Sequence, residues 1–304
     1  MSARELALSS LRPRRTAQSV ELDLPEGWEP GEGMVAVVAG ASSGIGRATA
    51  IALAQAGFEV WAGARRLARM TELNSHGIRT LPLDVTDEDS RRAFVETVLA
   101  GSGRIDVLVN NAGIGSFGSV EDTPMQAGRE LFEVNLFGAV RLVQLVLPTM
   151  RAQGAGRIVN ISSVAGHTYE PFGSWYHASK HALEGFSDSL RLEVKPFGIE
   201  VSIVQPGLVS TEWMHTARKD LLQVSRGGAY EKAARRLAKV LAVADKRGVG
   251  SNPSVVAQAV LAAAVAPKPR TRYAVGAGAR AALTARAVLP DAAVDRVLSA
   301  VGPR

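Results

Sequence analysis

Short apolar runs alternate with longer stretches of mixed polarity from residue 34 onwards. Seven of the runs are rich in β-branched residues and have the length of buried strands; they cover residues 34–39, 58–63, 78–83, 105–110, 157–162, 200–204 and 272–275. The stretches between them are predicted to be helices. This alternation, with strands that are apolar on both faces, predicts an α/β fold: a doubly wound, mostly seven-stranded parallel sheet with helices on both faces.

Two of the predicted helices begin with capping signals. Thr86 with Asp89 resembles a capping box, in which a hydroxyl and a carboxylate satisfy the first free N–H groups of a helix. Thr123 places a capping hydroxyl directly before Pro124, and proline suits the first helical position because no N–H is needed there. We therefore expect one helix to follow Thr86 and another to begin at Pro124.

The chain divides into three parts around this alternation. Residues 1–33 combine charges, prolines and glycines without a steady period, so we expect a loosely ordered N-terminal arm. Residues 34–275 are expected to form a single domain, and residues 276–304 a C-terminal helical tail. The sequence contains no internal repeat and no sign of a second domain.

Composition excludes several classes of protein. The 304 residues include no cysteine, which excludes thiolate nucleophiles, cysteine-based zinc sites and disulfides. The net charge is +6, but the basic residues are mostly scattered, so we expect a solvated surface and no nucleic-acid partner. The longest apolar stretch, residues 255–266, is too short to cross a bilayer, and residues 1–20 lack a signal-peptide core. We expect a cytoplasmic protein without membrane insertion.

A glycine-rich turn follows the first predicted strand and precedes an alanine-rich helix; its residues are Gly40, Ala41, Ser42, Ser43, Gly44, Ile45 and Gly46. Such a turn lets the backbone approach a pyrophosphate, whose charge is stabilised by the positive N-terminus of the helix. By analogy with similar loops, Gly40 allows the tight turn, Gly44 the close approach, and Gly46 the packing of helix against strand. The placement predicts a dinucleotide site of the Rossmann type.

The end of the second predicted strand favours NADP(H) over NAD(H). A site selective for NAD usually has an acidic residue there to bind the ribose 2′-hydroxyl, whereas this chain has Arg65 and Arg66. Two guanidinium groups suit the 2′-phosphate of NADP. The alternative interpretation of the arginine pair is a solvated start of the next helix.

Tyr176 and Lys180 are four residues apart in a stretch predicted to be helical through Val194, so they share one helix face. An ammonium near a phenol stabilises the phenolate, so we expect Lys180 to lower the pKa of Tyr176 and to allow proton exchange with a carbonyl oxygen. A tyrosine and a lysine at this spacing, taken alone, are far more often a coincidence on a protein surface than a catalytic pair. The pair gains weight because residues at the ends of several strands share the ligand-binding edge of the sheet: Ser162, Ser163, Asn110, Asn111, Pro206 and Gly207.

Together these motifs resemble the short-chain dehydrogenase/reductase family, in its single-domain Tyr-x-x-x-Lys subgroup, over roughly residues 34–275. The resemblance implies that Tyr176 is the catalytic acid and base, and that Lys180 lowers its pKa and binds the nicotinamide ribose. It also implies that Ser163 holds the substrate oxygen and that Asn135 positions a water linking Lys180 to solvent. The implied activity is NADP(H)-dependent reduction of a ketone or aldehyde to an alcohol, or the reverse, on a small-molecule substrate.

The resemblance extends to the residues that contact the cofactor. These would be the glycine-rich turn, the residues after the second and third strands, the Asn-Asn-Ala-Gly turn, the catalytic pair and the segment near the carboxamide: Gly40, Ser42, Ser43, Gly44, Ile45, Gly46, Arg65, Arg66, Asp84, Val85, Asn111, Ala112, Gly113, Tyr176, Lys180, Pro206, Gly207 and Thr211. Residues 208–250 would form a substrate lid with an apolar underside, although a helix packed permanently on the core is an equal alternative. The helices over residues 124–150 and 174–194 would build a homodimer or homotetramer.

Several other interpretations compete with this one. His177 and His181 have a spacing that can bind zinc, but Ala178 replaces the glutamate that usually follows the first histidine, so we expect no metal. An NAD-linked alcohol dehydrogenase is a near rival. A non-catalytic NADP-sensing or scaffold protein is a more distant one, disfavoured by the intact Ser/Tyr/Lys/Asn set. The sequence leaves the substrate open and offers pocket candidates by position only: Ser116, Phe117, Trp175 and Trp213.

Overall fold

The computed structural model describes residues 31–246 and 248–299, apart from the side chains of Trp213 and residues 244–246. The N-terminal arm that the sequence predicts therefore lies outside the described residues, except for residues 31–33. The described part of the chain confirms the α/β class.

Seven parallel strands form one sheet in the order β3-β2-β1-β4-β5-β6-β7. All seven were predicted, with ends that agree to within two residues. Their bounds are β1 Val35–Ala39, β2 Glu59–Ala64, β3 Arg79–Pro82, β4 Val107–Asn110, β5 Gly156–Ile161, β6 Ile199–Pro206 and β7 Arg272–Val275. The order reverses between β1 and β4, so the chain leaves these neighbouring strands in opposite directions and opens a crevice at their carboxyl ends.

Ten α-helices accompany the sheet in the described residues: α1 Gly44–Gln55, α2 Glu88–Ser102, α3 Met125–Phe132, α4 Gly138–Gln153, α5 Ser174–Val194, α6 Glu212–Val224, α7 Glu231–Lys246, α8 Pro253–Val265, α9 Ala279–Val288 and α10 Asp291–Leu298. Short 3-10 segments cover Leu67–His76, Val164–Gly166 and Lys195–Phe197, and a π-helical turn, Glu133–Phe137, joins α3 to α4. The helical tail predicted after residue 275 is present as α9 and α10.

Each face of the sheet has its own apolar core, because alternate residues of a strand point to opposite faces. In β1, Ala36 and Val38 belong to the core under α1 and α8, while Val35 and Val37 belong to the core under α2, α4 and α5. All five β1 residues are buried. With both faces covered, the carboxyl edge of the strands is where a ligand can reach the sheet.

The two predicted helix caps are wrong in detail. The N-cap of α2 is Asp87, whose carboxylate accepts from Ser90 N at 2.6 Å, while the Thr86 hydroxyl donates to Asp84 at 2.8 Å. The helix after Pro124 begins one residue later than predicted, and the Thr123 hydroxyl donates to Ser119 O at 2.6 Å instead of capping it. In both places neighbouring polar residues compete for the same backbone groups, so the pattern alone does not choose between them.

Helices α3 and α4 with the π-helical turn form one continuous segment, Met125–Gln153. Within the residues that the structure describes, it is the single helix long and apolar enough, by length and composition, to cross a membrane. One face packs into the core through Leu142, Val143 and Val146. The apolar composition is therefore partly explained by packing against the sheet.

Helices α6 and α7 form a small apolar cluster of their own over the carboxyl edge. Ala217 and Leu221 of α6 pack with Ala234 and Leu237 of α7, and Phe117 and Phe172 complete the cluster from below. The apolar underside predicted for residues 208–250 is present.

Candidate active site

A cavity of about 800 Å³ lies at the carboxyl edge of the sheet, in the crevice between β1 and β4. Every catalytic or cofactor-binding residue predicted from the sequence lines it, except Gly46 and Asn135. Those two lie just behind the wall, where they pack against residues that do line the cavity. One space therefore contains the glycine-rich turn at one end and Ser163, Tyr176 and Lys180 at the other.

The glycine-rich turn depends on positive φ angles and on close packing. Gly40 and Gly44 have φ of 83° and 54°, which L side chains rarely adopt. A Cβ at Gly40 would lie 2.6 Å from the Cα of Ala112. Asn111 Nδ2 donates to Gly40 O at 2.8 Å, which ties the turn to the end of β4.

The N-terminus of α1 has the donors that a pyrophosphate requires. Ser43 is the N-cap residue and makes no side-chain capping hydrogen bond, while Ser42 accepts from Arg66 at 3.4 Å. Both serines line the cavity beside the first free N–H groups of the helix. A dinucleotide fits this set of donors.

Arg65 and Arg66 follow β2 and line the cavity, as the sequence predicts. A third arginine, Arg69, lies close to them, and Glu212 bridges Arg69 and Arg66. Arg69 Nη1 lies 2.8 Å from Glu212 Oε2, and Arg66 Nη1 lies 4.0 Å from the same oxygen. Glu212 is the first residue of α6, so an ion pair links the layer above the cavity to the cluster of arginines. The sequence gives no sign of this link, because its partners are 143 positions apart.

Asp84 holds the turn after β3. Its carboxylate accepts from the backbone N–H of Thr86 at 3.0 Å and from the Thr86 hydroxyl at 2.8 Å. Burial acts to raise the pKa of Asp84, but these hydrogen bonds and the nearby charges of Arg65 and Arg91 outweigh it, so the pKa is lowered. An ionised Asp84 therefore keeps the wall beside Val85 in a fixed shape.

The end of β4 is braced by buried amides. Asn110 Nδ2 donates to Asn160 Oδ1 at 2.9 Å, and Asn160 Nδ2 donates to Ser187 at 2.8 Å, which connects β4, β5 and α5. A buried amide that lacks a hydrogen-bond partner destabilises the fold, so this series of hydrogen bonds fixes the register of the central strands. The adjacent Asn111, Ala112 and Gly113 line the cavity.

Asn135 lies in the π-helical turn and does not line the cavity. Its Oδ1 accepts from Ile114 N at 2.8 Å, and its Nδ2 donates to Ile114 O at 2.9 Å and to Ser179 Oγ at 3.1 Å. Ser179 in turn donates to the backbone carbonyl of Tyr176 at 2.8 Å. Asn135 thus connects the loop after β4 to the helix of the catalytic pair, through a serine that the sequence did not single out.

Ser163 and Tyr176 face one another in the cavity. Ser163 follows β5, and its Oγ accepts from Ala165 N at 3.1 Å. Burial raises the pKa of Tyr176 to about 12, although a hydrogen bond with Ser163 acts in the opposite direction. The expectation that the pKa of Tyr176 lies below its usual value is therefore wrong for this structure. Enclosure by protein disfavours the phenolate more than its neighbours stabilise it.

Lys180 lies one helical turn beyond Tyr176, on the face that the spacing predicts. Its Nζ donates to Ile161 O at 2.9 Å and lies 6.0 Å from the centroid of the Tyr176 ring. Burial lowers the pKa of Lys180 to about 8, and the charge of Glu184 partly opposes the shift. At neutral pH the site therefore holds a neutral phenol beside a lysine that is mostly protonated.

Two further residues near Tyr176 were missed as site residues. Glu170 lines the cavity, and its charge contributes to the raised pKa of Tyr176. His177 also lines it, but its Nδ1 lies 2.7 Å from Thr168 O and 3.1 Å from Ala165 O, so its ring braces the loop after Ser163. A loop residue such as Glu170 carries no periodic signal that could have identified it.

Of the four pocket candidates, Phe117 lines the cavity, and its ring centroid lies 6.5 Å from that of Tyr176. Ser116 and Trp175 do not line it. The Trp175 ring packs edge-on against Phe132 of α3 at 6.3 Å. The side chain of Trp213 lies outside the described residues.

A nucleotide-binding crevice with a Ser/Tyr/Lys set at one end is the arrangement of a dinucleotide-dependent oxidoreductase. The family model for short chain dehydrogenases matches residues 34–222. The chain therefore belongs to the short-chain dehydrogenase family, and the resemblance and the single-domain Rossmann-type fold expected from the sequence are confirmed.

Relatives along most of the chain agree with this assignment. A probable short-chain type dehydrogenase/reductase, VdlC, from Helicobacter pylori is 35% identical, over 88% of this chain and 97% of its own. The crystal structure of a short-chain dehydrogenase from Streptomyces avermitilis is 37% identical, with a TM-score of 0.72 over 88% of this chain and 95% of that one.

Solved structures with cofactor bound include both nicotinamide dinucleotides. A metagenomic short-chain oxidoreductase in complex with NADP is 30% identical, with a TM-score of 0.63 over 80% of this chain and 96% of that one. A short-chain dehydrogenase/reductase from Burkholderia phymatum in complex with NAD is 26% identical, with a TM-score of 0.73 over 88% of this chain and 95% of that one. The family thus indicates an oxidoreductase with a nicotinamide cofactor, acting on alcohol or carbonyl groups.

Proposed function

We propose that this protein is an NADP(H)-dependent oxidoreductase that reduces a ketone or aldehyde to an alcohol, with Ser163, Tyr176 and Lys180 as its chemical centre. The observation that carries the proposal is the shared cavity. It joins these three side chains to a glycine-rich turn at the N-terminus of a helix. Tyr176 holds its proton at neutral pH, which is the form that can protonate a substrate oxygen in the reductive direction.

The bound cofactor would supply the hydride. Around it, Gly40, Ser42, Ser43 and the N-terminus of α1 would hold the pyrophosphate, and Asp84 would fix the wall next to the adenine. Asn111, Ala112 and Gly113 would line its path, and Pro206, Gly207 and Thr211 its nicotinamide end. The residues of this chain thus bind and orient the cofactor and leave the redox chemistry to it.

Proton transfer falls to Tyr176. Its phenol donates a hydrogen bond to the substrate oxygen and then gives up its proton as negative charge develops there. The Ser163 hydroxyl holds the same oxygen in place. The Lys180 ammonium favours the resulting phenolate by its charge, and Asn135 and Ser179 keep the helix of the pair in position.

The preference for NADP(H) rests on the arginines after β2. Arg65 and Arg66 line the cavity, with Arg69 beside them, and no acidic residue stands directly at the end of β2. A 2′-phosphate would pair with these guanidinium groups and displace Glu212 from them. The test is to compare Kd for NADPH and NADH in the wild type and in Arg66→Ala, where an unchanged ratio contradicts the assignment.

Catalysis is tested by oxidation of NADPH, followed by absorbance, with a panel of ketones and aldehydes. We expect the wild type to turn over at least one of them. Tyr176→Phe should lose turnover by 10²-fold or more while its Kd for NADPH stays within about twofold. A non-catalytic NADP sensor would instead bind NADPH and leave the whole panel unreduced, which would refute the proposal.

We further propose a cytoplasmic homodimer or homotetramer built through α3, α4 and α5. Large apolar side chains are exposed on this part of the chain, including Met125 of α3, Phe137 of the π-helical turn and Leu192 of α5. Such a surface suits a second copy of the chain, and this role would also account for the apolar exposed face of Met125–Gln153 without a membrane. Light scattering should give a mass of two or four chains in detergent-free buffer, and a monomer would contradict it.

A further inference from the structure

The C-terminal helical hairpin, α9 with α10, forms one wall of the catalytic cavity. The wall residues recur at spacings of three or four, so each helix turns a single face inwards; they are Ala282, Ala285 and Leu289 on the α9 side, and Val294, Val297 and Leu298 on α10. This hairpin lies outside residues 34–222, which the family model matches. The family match therefore assigns no role to it.

The apolar face of α10 is not part of any described core. None of its residues is buried, and Val297 is 69% exposed. Polar contacts hold the helix in place instead: the Tyr169 hydroxyl donates to Asp295 at 2.9 Å, and Arg286 lies 2.9 Å from Asp291. The helix is thus fixed with its apolar residues exposed to the catalytic cavity.

The contacts of Tyr169 connect the hairpin directly to the segment between Ser163 and Tyr176. Tyr169 lies between Ser163 and Tyr176 in the chain, and the guanidinium of Arg286 lies over its ring at 5.5 Å from the centroid. A cation over an aromatic face adds to the hydrogen bond. The position of the wall and the position of the catalytic groups are therefore coupled.

The positive charge that the hairpin brings to the cavity is already paired. Arg286 lies 2.9 Å from Asp291. Among the described residues of the hairpin that line the cavity, Arg286 is the only cation. A substrate with a phosphate or carboxylate in its tail would find no unpaired cation among the hairpin residues that line the cavity, whereas an uncharged apolar tail would meet valine and leucine.

We propose that the α9–α10 hairpin selects neutral carbonyl substrates with a long or bulky apolar tail, which lies along Val294, Val297 and Leu298 while the carbonyl meets Ser163 and Tyr176. This inference rests on the proposed function. The cavity volume of about 800 Å³ lies in the upper part of the roughly 300–1,000 Å³ range of small-molecule sites.

The test uses 2-alkanones of four to twelve carbons at saturating NADPH. In the wild type kcat/KM should rise on the order of fourfold for each added methylene until the wall is covered. Val297→Asp should lower kcat/KM for 2-dodecanone by tenfold or more and flatten this rise. Val288→Asp is the matched control, because Val288 is 71% exposed on the same hairpin but does not line the cavity; it should keep the wild-type slope.

A second variant tests the contact that holds the wall. Tyr169→Phe removes the hydrogen bond to Asp295 and keeps the ring beneath Arg286. It should raise KM for 2-dodecanone by about two- to fivefold, on the scale of one exposed hydrogen bond, with little change in kcat.

Two results would overturn the inference while the proposed function stands: a wild-type kcat/KM that is independent of chain length, or a Val297→Asp variant with the wild-type slope. If that variant also has a smaller mass by light scattering than the wild type, the α10 face would be assigned to a second copy of the chain. If no alkanone and no other carbonyl compound oxidises NADPH, the proposed function itself fails, and the inference fails with it.

Discussion

Gly46 packs so tightly behind the nucleotide turn that even a methyl group has no room. A Cβ there would lie 2.9 Å from the carbonyl carbon of Gly40, and closer still to its oxygen and to Asn111 Nδ2. The contacted Gly40 atoms belong to the backbone, so the clash can be relieved only if α1 moves away from β1. Gly46→Ala should therefore destabilise the protein and also deform the turn that we assign to the pyrophosphate.

The magnitude follows from three effects. Overpacking at a rigid site costs about 1–3 kcal/mol. Displacing Asn111 loses its 2.8 Å hydrogen bond to Gly40 O, which costs about 1 kcal/mol. Alanine regains about 1 kcal/mol of helix propensity over glycine. The free energy of unfolding of Gly46→Ala should thus fall by about 1–3 kcal/mol.

Gly185 provides the matched control, because it is a helical glycine of α5 whose added Cβ would have nothing within 4 Å. Gly185→Ala should be stabilised by up to about 1 kcal/mol, through helix propensity alone. Urea titration measures both variants, and tryptophan fluorescence follows NADPH binding, which should weaken by at least fivefold in Gly46→Ala only. A Gly46→Ala protein with wild-type stability and wild-type NADPH affinity would refute the reasoning.

Two other predictions concern charge. Glu212→Gln removes the anion that pairs with Arg69, and because this ion pair is exposed its effect is small: Kd for NADPH should fall by about two- to fivefold and Kd for NADH should not change. Equal shifts for both nucleotides would show that Glu212 does not compete with the 2′-phosphate. The pKa of Lys180, lowered by burial to about 8, means that the ammonium is lost as pH rises through that value, while Tyr176 stays neutral. The kcat/KM for reduction should therefore fall above pH 8, and a flat profile to pH 10 would contradict this role of Lys180.

The fold was predictable because its signals are local and repeated. Each strand is a short apolar run, and the turn from Gly40 to Gly46 stands where a strand meets a helix, so spacing alone locates the nucleotide end of the cavity. The position of Ser163 relative to Tyr176 and Lys180 follows from the same topology. Strand ends at one edge of a parallel sheet must come together.

The rest depends on contacts between distant residues and on burial. The pair formed by Arg69 and Glu212, like the contact of Tyr169 with Asp295, joins positions more than a hundred residues apart and leaves no mark in either local pattern. The direction of the Tyr176 pKa was wrong because spacing reveals the nearby lysine but not how completely the phenol is enclosed. The cap at Asp87 was missed by one residue because adjacent polar side chains are equally able to cap.

Hydride transfer within this cavity is the central claim, and isotope transfer measures it directly. NADPH that carries deuterium at nicotinamide C4 should be incubated with a reducible ketone, and the alcohol product analysed by mass spectrometry. We predict that the wild type transfers deuterium to the former carbonyl carbon and that Tyr176→Phe forms less than a hundredth as much product. An alcohol without deuterium from either stereoisomer of the labelled cofactor, or equal product from the Tyr176→Phe variant, would contradict the account.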